Sequence, residues 1–284
     1  MPFARLPDRA VLTVTGPAAA DFLQNLVTAD LDGLGADEAR PAALLTPQGK
    51  ILFDFLASRI ADGFRLDVAA GARSDLAKRL TLYKLRAKVE IAAVDAPVVA
   101  LWGGSELPAE ALVDTRFAER STARLYGAPP EGMAEAAPAA FAAHRIRAGI
   151  AEAEADFPAS DVFPHDVLLD QNGGVSFRKG CFVGQEVVSR MQHRGTARRR
   201  LMLIEAEGHI TRGVEISAGG KTIGTIIAAA GSEGMALVRL DRLAEALAAD
   251  AVLAADGVPV VATIPPWAGY TLPQAGSSPA EGEA

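Results

Sequence analysis

The chain has 284 residues, half of them apolar, a net charge of −7 and one cysteine. That length suits two or three compact units with ample apolar surface to bury. A single cysteine excludes an internal disulfide and a self-contained four-thiolate zinc or iron–sulfur site, so any link to a cluster is indirect or shared with a partner.

Arg9 to Thr15 alternates and is rich in β-branched residues, which predicts a strand. Gly16-Pro17 ends it and opens a helix in which Phe22, Leu23, Leu26 and Val27 form one apolar stripe. Residues 42–58 read as a hairpin turning at Pro47-Gln48-Gly49-Lys50, and residues 60–68 continue the meander. Residues 71–84 carry Leu76, Leu80 and Tyr83 at helical spacing, and Lys84, Arg86 and Lys88 then fall on one alternating polar face of a strand. Short strands are expected at 98–102 and 111–115, a surface loop at 127–138, and a helix over 141–150 with Ile146 and Ile150 inward and Arg145 and Arg147 elsewhere. Residues 151–175 lack strong periodicity. His165 and Asp166 stand there as a base and its orienter, although adjacent residues in an irregular segment seldom form such a pair. From Leu201, short strands near ten-residue spacing with Gly-rich turns, and a helix over 242–249, predict a small antiparallel barrel. The last dozen residues are expected to be disordered. No run approaches the roughly 18 apolar residues of a membrane helix, and the first residues lack a hydrophobic signal region, so the expectation is a soluble, cytoplasmic protein with no membrane contact.

Charge and chemistry concentrate around the cysteine. Residues 178–200 hold seven Arg or Lys against one Glu, a basic strip on an acidic body that suits a small anionic ligand or a polyanion. A thiol reacts as its thiolate, and Arg178 and Lys179 favour that anion if their side chains turn toward Cys181. Gly180 and Gly184 free the backbone on either side, so the stretch reads as a turn presenting Cys181, with an ordered element from Gln185. Against that stands the plainer reading of a lone cysteine as a small buried apolar residue.

The same residues carry a resemblance. KGCFVGQEVVSR, with GGVSF before it and HRGTARRRL after it, resembles the signature of the YgfZ family, folate-binding relatives of the glycine-cleavage T-protein that act in iron–sulfur protein maturation. FLQNLVTADL, YKLRAKVEI, Asp114-Thr115-Arg116 with Arg124, and Arg147-Ala148-Gly149-Ile150 resemble further segments, so the likeness covers most of the chain. It implies an α+β fold in a three-lobed GcvT/YgfZ-like arrangement: two α+β subdomains, interleaved or consecutive, over residues 1–193, a β-barrel over 194–270 and a tail over 271–284. It also implies a protein that supports assembly or repair of iron–sulfur clusters, with Lys179 and Cys181 as its functional pair and no resident metal. Tetrahydrofolate is the implied cofactor. Asp54 and Arg147 match family segments that hold it, Gln185 and Glu186 suit its pterin edge, and Lys179, Arg190 or Arg194 its glutamate tail. The partners implied are folate and iron–sulfur assembly or client proteins, met by a monomer. Two departures stand out: T-proteins have paired aspartates where this chain has Phe53-Asp54, and YgfZ proteins have an asparagine where it has Leu168. A second reading is a folate-dependent aminomethyl or methyl transferase, for which Asp54 holds the folate nitrogen. A third is tRNA binding through Arg194, Arg198, Arg199 and Arg200.

Overall fold

A computed structural model describes residues 1–104, 106–129, 131–195 and 197–274, so most of the expected tail lies outside the described residues. In chain order the first region runs β1 (Pro2–Arg5), β2 (Arg9–Thr15), α1 (Ala19–Gln24), β3 (Glu38–Leu45), β4 (Ile51–Ile60), β5 (Gly63–Ala69), α2 (Arg73–Lys84), β6 (Glu90–Val94), β7 (Val98–Leu101), β8 (Leu112–Asp114), β9 (Ala123–Tyr126), β10 (Ala134–Glu135) and α3 (Pro138–Ala148). Its strands form one mixed sheet in the order β10-β1-β7-β9-β8-β3-β4-β5-β2-β6. β1 belongs to one half of that sheet and β2 to the other. The halves meet at a parallel pair, Glu38 against Val113 and Ala39 against Asp114.

Local chemistry explains most of these elements. β2 pairs along its whole length with β5, Arg9 opposite Ala69 through Thr15 opposite Gly63, and its apolar residues enter a core shared with Phe22 and Leu23 of α1 and Leu76 and Leu80 of α2. α3 starts on a proline and stops at Gly149, whose φ of 71° is the left-handed conformation that ends helices. One expectation fails after α2. Residues 85–88 are irregular, because Leu85 leaves the helix at φ 46° and strand pairing resumes only at β6, so Lys84, Arg86 and Lys88 do not share a strand face.

The C-terminal region follows α4 (Gln185–Arg194) and holds β11 (Arg199–Ala206), β12 (Glu215–Ala218), β13 (Lys221–Ala230), β14 (Glu233–Arg239), α5 (Leu240–Ala248), β15 (Leu253–Ala255) and β16 (Val258–Thr263). Its strands close into a barrel in the order β11-β14-β13-β12-β15-β16, which leaves no open sheet edge. Among the described residues no helix is long and apolar enough to cross a membrane.

Between α3 and α4 the aperiodic stretch turns out to be core. Phe157, Val162, Val167 and Leu168 are buried together with Leu45 and Ile51 of the β3–β4 hairpin and Leu201, Ile227 and Met235 of the barrel. Its backbone is satisfied from outside: the buried Thr28 hydroxyl donates to the Gly174 carbonyl at 2.6 Å and accepts the Ala43 N–H at 2.9 Å. An irregular chain can fill an interior only when its polar groups find such partners.

Buried charge pins this stretch to the sheet. The Glu152 carboxylate takes Arg116 at 2.8 Å, Arg124 at 3.3 Å, Arg145 at 3.7 Å and Arg9 at 3.9 Å. Arg9 also bonds Asp67 at 2.7 Å, Arg116 bonds Asp114 at 2.7 Å, and Arg145 binds Asp156. Burial alone would raise the Glu152 pKa, but Arg116, Arg9, Arg145 and Arg124 outweigh it and hold the carboxyl well below its usual range. Arg145 is therefore an inward residue of α3, a correction to the expected helix face, whereas Arg147 points out to Glu233 of the barrel at 2.6 Å.

Removing the shared carboxylate leaves four buried guanidiniums facing only three carboxylates, those of Asp67, Asp114 and Asp156. Glu152→Gln should cost about 3–5 kcal/mol in urea unfolding, whereas Arg147→Gln, which breaks an exposed pair, should cost under about 1 kcal/mol. A carboxyl whose folded pKa is depressed contributes stability that is present above its unfolded value and lost as pH falls through the folded one. Acidification below the usual glutamate value of 4.5 should thus destabilise the native chain more steeply than Glu152→Gln.

Candidate functional site: an exposed thiol and voids beside Asp54

Cys181 is exposed, and its Sγ makes no hydrogen bond among the described residues. The loop that carries it is fixed from both sides. On one side the Lys179 ammonium donates to the carbonyls of Val27 at 2.7 Å and Ala29 at 2.9 Å and lies 5.5 Å from the centre of the Phe182 ring. Partial burial pulls its pKa down to about 8 against the opposing pull of Asp30 and Asp32. Lys179 is thus spent on the loop after α1, not turned to Cys181, while Arg178 is exposed. On the other side, Gly184 at φ 78° abuts the β3–β4 turn so closely that a Cβ there would lie 2.5 Å from the Thr46 carbonyl oxygen. Gly49 across the contact is equally confined by Val187. Gly180 by contrast faces open space, so of the two glycines flanking the cysteine only Gly184 is required by packing.

Asp54 stands elsewhere, in the wall shared by two of three voids near residues 151–154. One void of about 310 Å³ includes Arg9, Phe141, Arg145 and Glu152 in its wall. A second of about 20 Å³, the neck, is bounded by Arg9, Asp54 and Arg116. A third of about 210 Å³, the mouth, is bounded by Phe53, Asp54, Val68, Asp75 and Glu154. The neck has room for about one water molecule. Asp54 is half-buried, and its Oδ2 accepts the Ala153 N–H at 3.2 Å. Desolvation raises its pKa against the pull of Arg9.

The other expected ligand residues do not line the voids beside Asp54. Gln185 accepts the Phe182 N–H at 3.3 Å and caps its own turn, Glu186 and Arg190 form an exposed i,i+4 pair at 2.9 Å, and Arg147 is paired with Glu233. A helix that begins at Gln185 spreads neighbours over different faces, so closeness in sequence did not gather them. His165 and Asp166 do not pair either. The imidazole Nε2 faces the Gln192 amide oxygen at 3.2 Å, while Asp166 takes Arg199 at 2.9 Å. Leu168 has φ 61°, a conformation asparagine adopts more readily than leucine, so an asparagine there has a backbone reason apart from any ligand. Of the basic run, Arg200 is tied to Asp170 at 2.7 Å and Arg199 to Asp166, leaving Arg194 and Arg198 exposed. Sequence reasoning missed Arg9, Glu152 and Arg145, which line a void beside the buried charges. The one available signal was acid beside aliphatic residues just after the helix-ending Gly149.

Comparison with known proteins agrees with this architecture. Residues 198–270 match the family described as CAF17, C-terminal beta-barrel domain. The chain is 30% identical to the iron-sulfur cluster assembly factor IBA57, mitochondrial, of Homo sapiens, over 93% of this chain and 84% of the human protein. A homologue of IBA57 from Chaetomium globosum is 30% identical over 70% of this chain, and the tRNA-modifying protein YgfZ of Cronobacter sakazakii is 29% identical over 72% of this chain and 70% of its own length. The chain spans little more than half of the first fungal relatives, 55% of the Chaetomium protein and 56% of one from Pyricularia oryzae. In structure it is similar to the glycine cleavage system aminomethyltransferase T of Bartonella henselae, with a TM-score of 0.75 at 16% identity over 94% of this chain and 86% of that one.

The two glycines give a direct check on how the thiol loop is held. Gly184→Ala should lower stability by roughly 1–3 kcal/mol and speed amide exchange in the 46–50 turn, whereas Gly180→Ala should leave both unchanged.

Proposed function

The chain belongs to the CAF17/YgfZ family, and from that premise we propose that it supports the assembly or repair of iron–sulfur clusters, with Cys181 as the thiolate it offers to a cluster in transit. The observation that carries the proposal is the exposure of Cys181 on a loop anchored by Lys179 and Gly184. One thiolate cannot hold a cluster alone, so the cluster is substrate here and its remaining ligands come from the protein that brings or receives it. The step is a ligand exchange. An iron–sulfur bond to the carrier breaks as one to Cys181 Sγ forms, and the displaced thiolate takes up the proton that Cys181 loses. In this reading Lys179 is a positioning residue, since its ammonium already bonds two carbonyls.

Replacing Cys181 with alanine should abolish the chain's ability to restore cluster-enzyme activity in cells lacking it, with its urea midpoint unchanged. Full complementation by that variant would refute the role of the thiol.

Tetrahydrofolate is a finer reading, favoured by the mouth beside Asp54. Apolar walls from Phe53 and Val68, the Asp54 carboxyl, and the acids Asp75 and Glu154 suit an aminopyrimidine edge. The fit ends there. Arg9 and Arg116, the cations at the neck, are bound to Asp67 and Asp114, and the neck admits nothing larger than water. When bound, folate would supply one-carbon chemistry; what this chain contributes is a slot and a hydrogen-bonding acid. Tetrahydrofolate and a tetrahydropterin without the glutamate tail should therefore raise the melting temperature alike, and Asp54→Asn should abolish both shifts. A stabilisation found only with the intact tail would count against this mode of binding.

A further inference from the structure

The large apolar side chains most exposed among the described residues are five, and they fall into two patches of opposite charge. The first is the end of α2, where Leu82 is 71% and Leu85 89% exposed. Leu85 departs the helix at φ 46° and carries its side chain outward. Around the two leucines stand Arg79, Lys84, Arg86 and Lys88, none of which is in an ion pair among the described residues. The second patch is a groove of about 490 Å³ on the barrel, with walls that include Leu247, Val252, Pro259 and Val261. Val252 is 72% and Val261 59% exposed. Glu205 and Glu207 edge that groove and Asp250 adjoins it, all three exposed and outside any ion pair among the described residues.

An apolar projection flanked by unpaired cations and an apolar recess rimmed by unpaired carboxylates are complementary in charge and in apolar character. We propose that the occupant of the barrel groove is the Leu82–Leu85 projection of a second copy of this chain, giving a head-to-tail contact. Burying leucine and valine surface supplies the attraction, and the charges fix orientation and make the contact sensitive to salt. Because the two faces differ, the contact is heterologous: each copy keeps one unused face, and association continues with concentration unless a ring closes. Nucleic acid is a poorer occupant of the basic patch, since stacking needs open aromatic faces and Tyr83, the aromatic residue there, is half-buried.

Sedimentation velocity on the full chain tests this. The weight-average mass should rise with protein concentration at low salt and fall back toward one chain in high salt. Leu82→Ser with Leu85→Ser, and separately Val252→Ser with Val261→Ser, should each remain monomeric at every concentration. Mixing those two variants restores one intact pair of faces and should give a dimer that grows no further. All four positions are exposed, so folding is preserved, which far-ultraviolet circular dichroism verifies. A wild-type chain that stays monomeric throughout, or leucine variants that associate like wild type, would overturn the proposal and leave the groove to a different protein.

Discussion

One buried carboxylate shared by four guanidiniums is the constraint on which the rest of this structure depends. Glu152 gathers Arg9 from β2, Arg116 from the turn after β8, Arg124 from β9 and Arg145 from α3, so both halves of the sheet and the segment after α3 must meet at one point. Taking so many charges out of water is costly, and their mutual attraction repays it only when the geometry is complete. The charges balance. Arg9, Arg116, Arg124 and Arg145 face Asp67, Asp114, Glu152 and Asp156, while the fifth acid, Asp54, is pushed by desolvation toward its neutral form. Such a cluster specifies registry: a slipped β2 or a misplaced 150–157 segment would strand a buried charge.

That registry reaches the thiol through packing. Once Glu152 and Asp156 hold the chain against the sheet, the residues after them fill the space between the β3–β4 hairpin and the barrel, and the loop carrying Cys181 emerges where Lys179 finds the carbonyls after α1 and Gly184 finds Thr46. The sulfur stays in solvent while everything around it is fixed. A thiol that must meet a cluster held by another protein needs both properties, since exposure gives access and a rigid loop lowers the entropy lost on contact. Beside the buried ion pairs the void next to Asp54 and Arg116 is only about 20 Å³, so the larger spaces that could take a ligand are the voids of about 310 and 210 Å³.

Local signals were legible in the sequence and long-range ones were not. β2 was readable from alternation and the β3–β4 turn from its Gly-Lys pair, and the barrel strands from even spacing, because each depends on neighbours a few residues away. Cys181 was readable as exposed because glycine and charge flank it. The role of Glu152 was not, since its partners lie up to 143 positions away in sequence and no periodicity marks them. Periodicity placed Arg145 and Arg147 together off the inward face of α3; two residues apart on a helix, they face opposite environments, and only the fold shows Arg145 buried and Arg147 reaching Glu233. Gln185, Glu186 and Arg190 sit at the start of α4, where the helix turns neighbouring side chains to different faces.

The central claim is that Cys181 ligates a cluster whose other ligands lie outside this chain. Visible circular dichroism of a glutathione-ligated [2Fe–2S] cluster, titrated anaerobically with the chain, measures this directly, because the cluster's own absorption becomes optically active when a protein holds it. The account predicts a signal that saturates with the native chain and is absent with the chain alkylated at Cys181. Equal signals from the two, or none from the native chain, would contradict it.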